Sequence, residues 1–312
     1  MPRAFVFPGQ GSQTVGMGKA LADALPEARL VFEEVDDALN QKLSRLMFAG
    51  PEDQLTLTEN AQPALMAVSM AIIRTLEKSK IDLAAKVACM AGHSLGEYSA
   101  LAAAGAISLG DAARLLRVRG QAMQRAVPVG QGAMAALLGA EIEQALEVVK
   151  EAAQGEVCAV ANDNGGGQVV ISGHKTAVDR AIEVAKAKGI KRAIPLAVSA
   201  PFHCSLMQPA ADVMAEALGK ITIHTPRVPI VANVTAEAVM DPARIRALLV
   251  EQVTNMVRWR ESMAWMKTKG IDTYVEIGTG KVLSGLVKRL DKDAAGMSVQ
   301  GPEDIDALMK TL

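Results

Sequence analysis

KVACMA (86–91) running into Gly92-His93-Ser94-Leu95-Gly96 is the stretch on which the fold turns. A short apolar run bounded by glycine reads as a buried central strand, and the pattern after Ser94 reads as a helix. A GxSxG at a strand-to-helix turn is a nucleophile elbow, whose glycines sit where the turn is too tight for a Cβ. Working outward, Ala4–Phe7 reads as a second buried strand. It enters the glycine-rich loop Pro8-Gly9-Gln10-Gly11-Ser12-Gln13, and a helical stretch follows from about Met17 to Leu25. Helical patterns continue to Lys80, with a helix start expected near Pro63. A further helix opens at Ser108, which stands three residues before Asp111 in the spacing of a capping box.

The texture changes between Gly132 and Val198. GAMAALLG, EVCAVAN, QVVISG and KRAIPLAV read as strands, with helices EIEQALEVVKEAA and KTAVDRAIEVAKAKG between them and a turn at DNGGG. That order, β-α-β-β-α-β, is a ferredoxin-like unit. The larger pattern resumes with PIVANV (229–234), a helical stretch, strand TYVEIG (273–278) and a final helix from about Val282. The expected fold is α/β. A hydrolase-like core with a largely parallel sheet comprises 1–130 and 199–312, and a ferredoxin-like small domain is inserted at 131–198.

Composition narrows the class. In 312 residues, 50% are hydrophobic and 21% charged, which excludes a disordered chain. A net charge of −1 with both signs interspersed argues against a nucleic-acid binder. No apolar run reaches membrane-spanning length and no leader is expected, so no membrane partner is expected either. Cys89, Cys158 and Cys204 fit neither a disulfide framework nor a zinc spacing, so no metal is expected and the reducing cytoplasm is the expected location. The oligomeric state is left open, with a monomer as the working expectation.

Ser94 at the elbow is the candidate nucleophile, and the N–H groups just after it point from a helix N-terminus toward a developing oxyanion. A base must come from four histidines. His93 lies inside the elbow, where it reads as a structural hydrogen-bonder. His174 reads as a surface-turn residue, and His224, in ITIHT, as a strand-face residue. His203 follows Pro201 where the inserted unit rejoins the core, a place suited to an active-site base; the residues alone leave that choice open. On helix 108–126, Arg119 falls on the apolar face with Ala112, Leu115, Leu116 and Met123. A buried guanidinium needs a partner, either inside the fold or on a ligand whose carboxylate it clamps. The GQGSQ loop lacks the spacing of a nucleotide-binding loop and is more consistent with donating an N–H to the oxyanion.

Taken together, FVFPGQGSQ (5–13), GHSLGEYSA (92–100) and RVRGQAMQ (117–124) resemble the malonyl-CoA:acyl carrier protein transacylases. NDN with GQVVISG, SAPFHCSLM, EQVTNMVRW and YVEIGTGKVL extend the resemblance in the same order over essentially the whole chain. It implies that Ser94 is acylated, that His203 is its base and acid, and that Arg119 pairs with the malonyl carboxylate. It implies an oxyanion hole of the Gln10 and Leu95 N–H groups and a Gln252 main-chain carbonyl that orients the histidine. Asn162 matches an asparagine near the active site. No cofactor is implied beyond malonyl-CoA as substrate, and acyl carrier protein is the implied partner. Thr279 and Met256 stand where the family usually has proline, and Phe202 resembles the malonyl-preferring version.

Two other classes compete. A serine hydrolase on this plan places a carboxylate between serine and histidine in the chain, and none stands out at a strand end. A non-catalytic carrier-binding module does not need Ser94, His203 and Arg119 together. An acidic carrier calls for a basic rim to the cleft, for which Lys188, Lys191, Arg192, Lys281, Lys288 and Arg289 are the candidates.

Overall fold

Apolar runs and amphipathic helices resolve into two sheets in the computed structural model, which describes residues 2–198 and 200–312. The strands are β1 Arg3–Phe7, β2 Cys89–Gly92, β3 Gly132–Leu138, β4 Cys158–Gly165 and β5 Gln168–His174. They continue with β6 Arg192–Pro195, β7 Ile230–Val231, β8 Ala238–Val239, β9 Thr273–Ile277 and β10 Ala295–Val299. The first sheet runs β10-β9-β1-β2-β7-β8 and is parallel except where β8 folds back on β7. β1 and β2 are covered on both faces, as their unbroken apolar character requires.

The second sheet, β4-β5-β3-β6, is antiparallel throughout. With helices Ile142–Ala153 and Lys175–Ala187 it has the strand order of a ferredoxin-like unit and its own apolar core around Leu137, Val148, Ile171 and Ile182. Ser199, the expected boundary residue, lies outside the described residues.

Several elements differ from the sequence expectation. The strand expected from Lys86 begins only at Cys89, because Asp82 accepts a bond from the Ala84 N–H and caps a short helix, Leu83–Lys86. The helix expected near Pro63 begins at Thr58 and carries Pro63 inside it. The ring forgoes one bond to the Glu59 carbonyl, and burial of nearly the whole helix outweighs that loss. ITIHT forms no strand: the His224 and Arg227 N–H groups bond the carbonyls of Ala106 and Ala104, in the connection between helices Gly96–Ala103 and Leu109–Ala126, and His224 is exposed. β6 stops at Pro195; the Leu196 N–H still bonds the Met134 carbonyl of β3, and Ala197 and Val198 then leave the sheet. The helix Val282–Leu290 is not the last element, since β10 and helix Pro302–Met309 follow it. AGMSV is too small and too polar to announce a strand, and only its parallel pairing with β9 makes it one. Among the described residues, no helix is long and apolar enough to cross a membrane.

Candidate active site

The carboxyl ends of β1, β2 and β7 point to one edge of the parallel sheet, where open α/β sheets place their ligands. Gly92 closes β2 with its Cα against Gly96: a Cβ there would stand 1.9 Å from the Gly96 carbonyl carbon and oxygen. A Cβ on Gly96 would stand 2.3 Å from the Phe7 carbonyl oxygen at the end of β1. The two glycines therefore let the turn close on itself and on its neighbouring strand. Ser94 takes up the resulting strain with a φ of 54°, in the left-handed region that disfavours a side chain.

His203, 4% exposed and also left-handed at φ 59°, brings its Nε2 to 2.8 Å from the Ser94 Oγ. Its Nδ1 faces two main-chain carbonyl oxygens, Gln252 at 2.9 Å and Asn255 at 3.2 Å. Carbonyls only accept, so the ring proton sits on Nδ1 and Nε2 is left to accept from the serine hydroxyl. Burial first, and the Arg119 cation second, push the His203 pKa down to about 3, so the ring is neutral and proton-accepting at any working pH.

Arg119, 1% exposed, comes from helix Leu109–Ala126. Nη1 donates to the Gln62 Oε1 at 2.9 Å; Nη2 donates to the Gln252 Oε1 at 2.9 Å and to the Ser94 Oγ at 3.1 Å. The guanidinium stands 5.7 Å from the Tyr98 ring, and its Nε has no hydrogen-bond partner among the described residues. Its bonded partners are thus all neutral.

These groups meet in a cavity of about 300 Å³. Gln10 and Leu95 line it, and neither backbone N–H donates a hydrogen bond among the described residues. Asn162 reaches the wall from β4, where bulges at Val160/Asn162 and Asp163/Gly165 re-aim successive side chains. Met134, Phe202 and Leu196–Val198 complete the apolar side, so the second sheet closes the site over the edge of the first. Among the described residues no group of three or more His, Cys, Asp or Glu gathers at metal-binding spacing.

Of the other histidines, His93 Nε2 pairs with the Asn164 Oδ1 at 2.9 Å, tying the elbow to β4. His174 Nδ1 accepts from the Val157 N–H at the start of helix Lys175–Ala187. Met256 packs against the second sheet's core, and Thr279 is buried between two left-handed glycines, Gly278 and Gly280.

Sequence reasoning missed the polar layer beneath the site. Asn233 Oδ1 accepts from the Ser94 N–H at 2.7 Å, and its Nδ2 donates to the Gly92 carbonyl at 2.7 Å, so it braces both sides of the elbow. Glu97, 2% exposed, accepts from the Asn233 N–H and from the Gln252 Nε2, each at 2.9 Å. Burial pushes its pKa up to about 7 against the opposing pull of those two donors and of Arg119. The signals were present: Asn233 is the only polar residue in PIVANV, and Glu97 is the only charge in the otherwise small or apolar GEYSALAA.

With this geometry in place, similarity to known proteins is informative. The profile of the acyl transferase domain matches residues 4–301. The malonyl CoA-acyl carrier protein transacylase of Bacillus subtilis is 47% identical over 99% of this chain and 96% of its own length. That of Escherichia coli is 45% identical over 98% of each. Among solved structures, the acyl-carrier-protein-S-malonyltransferase of Bartonella henselae superposes with a TM-score of 0.98 at 56% identity, covering 100% of this chain and 99% of its own. A malonyl-transacylase in complex with a type II polyketide acyl-carrier protein gives a TM-score of 0.97 at 43% identity, covering 100% of both chains. With a GxSxG elbow, a histidine on its serine and the whole length matched, the chain is an acyltransferase and belongs to the family of the malonyl-CoA:acyl carrier protein transacylases.

Proposed function

We propose that the chain carries a malonyl group from malonyl-CoA to the phosphopantetheine thiol of an acyl carrier protein, in two half-reactions joined by a malonyl ester on Ser94, and so supplies fatty acid synthesis. The observation that carries this reading is a buried arginine that bonds no acidic partner among the described residues, and whose Nη2 lies 3.1 Å from the Ser94 Oγ. An acyl chain attacked at Ser94 has its next atoms within reach of that guanidinium. A malonyl group, with its carboxylate two bonds beyond the reacting carbonyl, supplies the missing charge.

The steps follow from the donors and acceptors. His203 Nε2 takes the Ser94 proton as Oγ attacks the thioester carbonyl. The Gln10 and Leu95 N–H groups receive the oxyanion, a contribution of ~3 kcal/mol or more per donor. The C–S bond then breaks, and the coenzyme A sulfur leaves with the proton held on Nε2. The carrier's thiol enters by the same route in reverse: it gives its proton to His203, attacks the ester carbonyl, and Ser94 recovers its hydrogen. The main-chain carbonyls of Gln252 and Asn255 hold the imidazole where a triad would use an acid. When the acyl carboxylate sits on Arg119 it offsets the cation that depresses His203, so binding the substrate makes the base stronger. Asn162 on the cavity wall steadies the acyl-thioester arm. Ser94, His203 and the substrates' own thiol groups supply every proton and electron pair in this route, so it calls on no metal or redox group.

Mass spectrometry after mixing with malonyl-CoA should show a single malonyl adduct, on the peptide carrying Ser94. An adduct at Cys89, Cys158 or Cys204 instead, or an active Ser94→Ala enzyme, would sink the reading.

A further inference from the structure

Glu97 lines no part of the cavity and takes no part in the steps above, yet it is a carboxyl group buried 2% exposed beneath them. Besides the Asn233 N–H, it accepts from the side chain of Gln252. That amide lies between two ionisable groups: its Nε2 donates to the Glu97 Oε2 at 2.9 Å and to the Ser94 carbonyl at 3.0 Å, while its Oε1 accepts from the Arg119 Nη2 at 2.9 Å. A primary amide turned end for end has almost the same shape. Turned so, Gln252 would set N–H groups against a guanidinium and an oxygen against a carboxylate.

We propose that Glu97 is a positioning residue that fixes the orientation of Gln252 and, in its ionised form, gives Arg119 a counter-charge at one amide's remove, keeping the guanidinium available to the acyl carboxylate. The inference rests on the reading of Arg119 as the seat of that carboxylate. A carboxylate in direct contact would form a two-bond pair with Arg119 and compete with the substrate. With no counter-charge, the cation would stand alone in a low-dielectric site. The geometry lies between these extremes: Arg119 bonds only neutral oxygens and its Nε is unpartnered among the described residues, while Glu97 polarises the amide that Arg119 holds. The same carboxyl fixes Asn233, which braces the Ser94 N–H, and Gln252 also supplies the carbonyl for His203. An effect through Arg119 therefore falls mainly on acyl groups that carry a carboxylate, whereas mere support of the elbow falls on every acyl group alike.

The test compares Ser94 acylation by malonyl-CoA and by acetyl-CoA, with kcat and KM determined separately and unfolding curves recorded for every variant. Glu97→Gln keeps the shape but removes the charge and pairs with either orientation of Gln252. It should remain folded while its malonyl-over-acetyl ratio in kcat/KM falls by about tenfold or more, the malonyl loss appearing chiefly in KM. The exchange variant Glu97→Gln with Gln252→Glu keeps the donor–acceptor pair but puts the charge directly on Arg119, and its ratio should fall further. A folded Glu97→Gln enzyme with an unchanged ratio, an equal loss for both acyl groups, or an exchange variant with the wild-type ratio overturns the proposal. If the single variant does not fold, the exchange variant decides alone. Arg119→Ala is measured in parallel. If it keeps the malonyl preference, the underlying reading falls and the proposal with it; a normal Arg119 response beside an unaffected Glu97→Gln overturns the proposal alone.

Discussion

At the residue scale, Arg119 and His203 make separable demands. Arg119→Ala should cut malonyl transfer by about a hundredfold, the worth of two charge-assisted hydrogen bonds, while acetyl transfer falls less or rises. Arg119→Lys should restore little, because one ammonium cannot form the guanidinium's two parallel bonds. Equal losses for malonyl and acetyl groups would remove the clamp from the account. His203 carries a stability signature as well. Its pKa is near 3 when folded against 6.5 in the unfolded chain, so below pH 6.5 the unfolded state takes up a proton that the folded state refuses. Stability is therefore lost as pH falls from 6.5 toward 3. Relative to His203→Gln, the wild-type protein should lose about 2 kcal/mol between pH 7 and pH 5, measured by denaturant unfolding at each pH. Identical pH slopes in the two proteins would mean that His203 is not held neutral. Ser94 was legible in the sequence because glycines, strand and helix surround it in order, and Arg119 because it breaks the pattern of its helix face. Glu97 and Asn233 stood out only as lone polar residues, because their role lies in a meeting of the elbow and helix Gly96–Ala103 with the segment after β7, far apart in the chain.

Elements set those meetings. Helix Leu109–Ala126 crosses helix Thr58–Lys78 at Gly120, where a Cβ would stand 2.5 Å from the Glu59 Cα and 2.7 Å from both the Glu59 nitrogen and the Thr58 oxygen. Backbone on the far side cannot yield as a flexible side chain does, so Gly120→Ala must push the helices apart. The expected cost is about 1–3 kcal/mol of stability. Because Arg119 and Gln62 bridge the same seam, malonyl transfer should fall with it. An alanine variant with unchanged unfolding midpoint and unchanged malonyl KM would show that the crossing tolerates a Cβ. The seam also shows what the sequence could not reveal: RVRGQ announces a helix, but nothing local says that its glycine faces another backbone. Long periodic helices and the antiparallel ferredoxin-like strands were readable from local pattern. β10, the brief β7–β8 hairpin and the early start at Thr58 exist because partners hold them, so local propensity did not disclose them.

At the scale of the whole molecule, the two sheets meet around the cavity, and in the proposed reaction a carrier protein would deliver its thiol arm through that rim. Gly280 lies against Ser12 beside the cavity loop, so the helix Val282–Leu290 starts near the mouth. It ends with Arg289 over Gly166 and Leu290 against Gly165, at the tip of the β4–β5 hairpin. Gly167 there accepts from the Gly139 N–H, and the side chain of Lys191 lies over Gly139. The exposed side chains of Lys191 and Arg289 therefore stand on either side of this hairpin tip, with Arg192 and Lys288 exposed beside them in the chain. Lys188 differs, because Glu151 at 3.2 Å and Glu147 at 3.7 Å already occupy its ammonium. An acidic carrier docked beside the hairpin tip would gain encounter rate from its charge, and that gain weakens with salt. Reversing Lys191 and Arg289 together to glutamate should slow the carrier half-reaction by roughly tenfold at low ionic strength and flatten its salt dependence. Malonylation of Ser94 by malonyl-CoA should stay nearly unchanged, and Lys188→Glu should alter neither half-reaction. Rapid-quench measurement of the two half-reactions, each across a salt series, decides the matter. Equal losses in both would mean damage to the shared site, and an unaffected carrier step would place docking on another face.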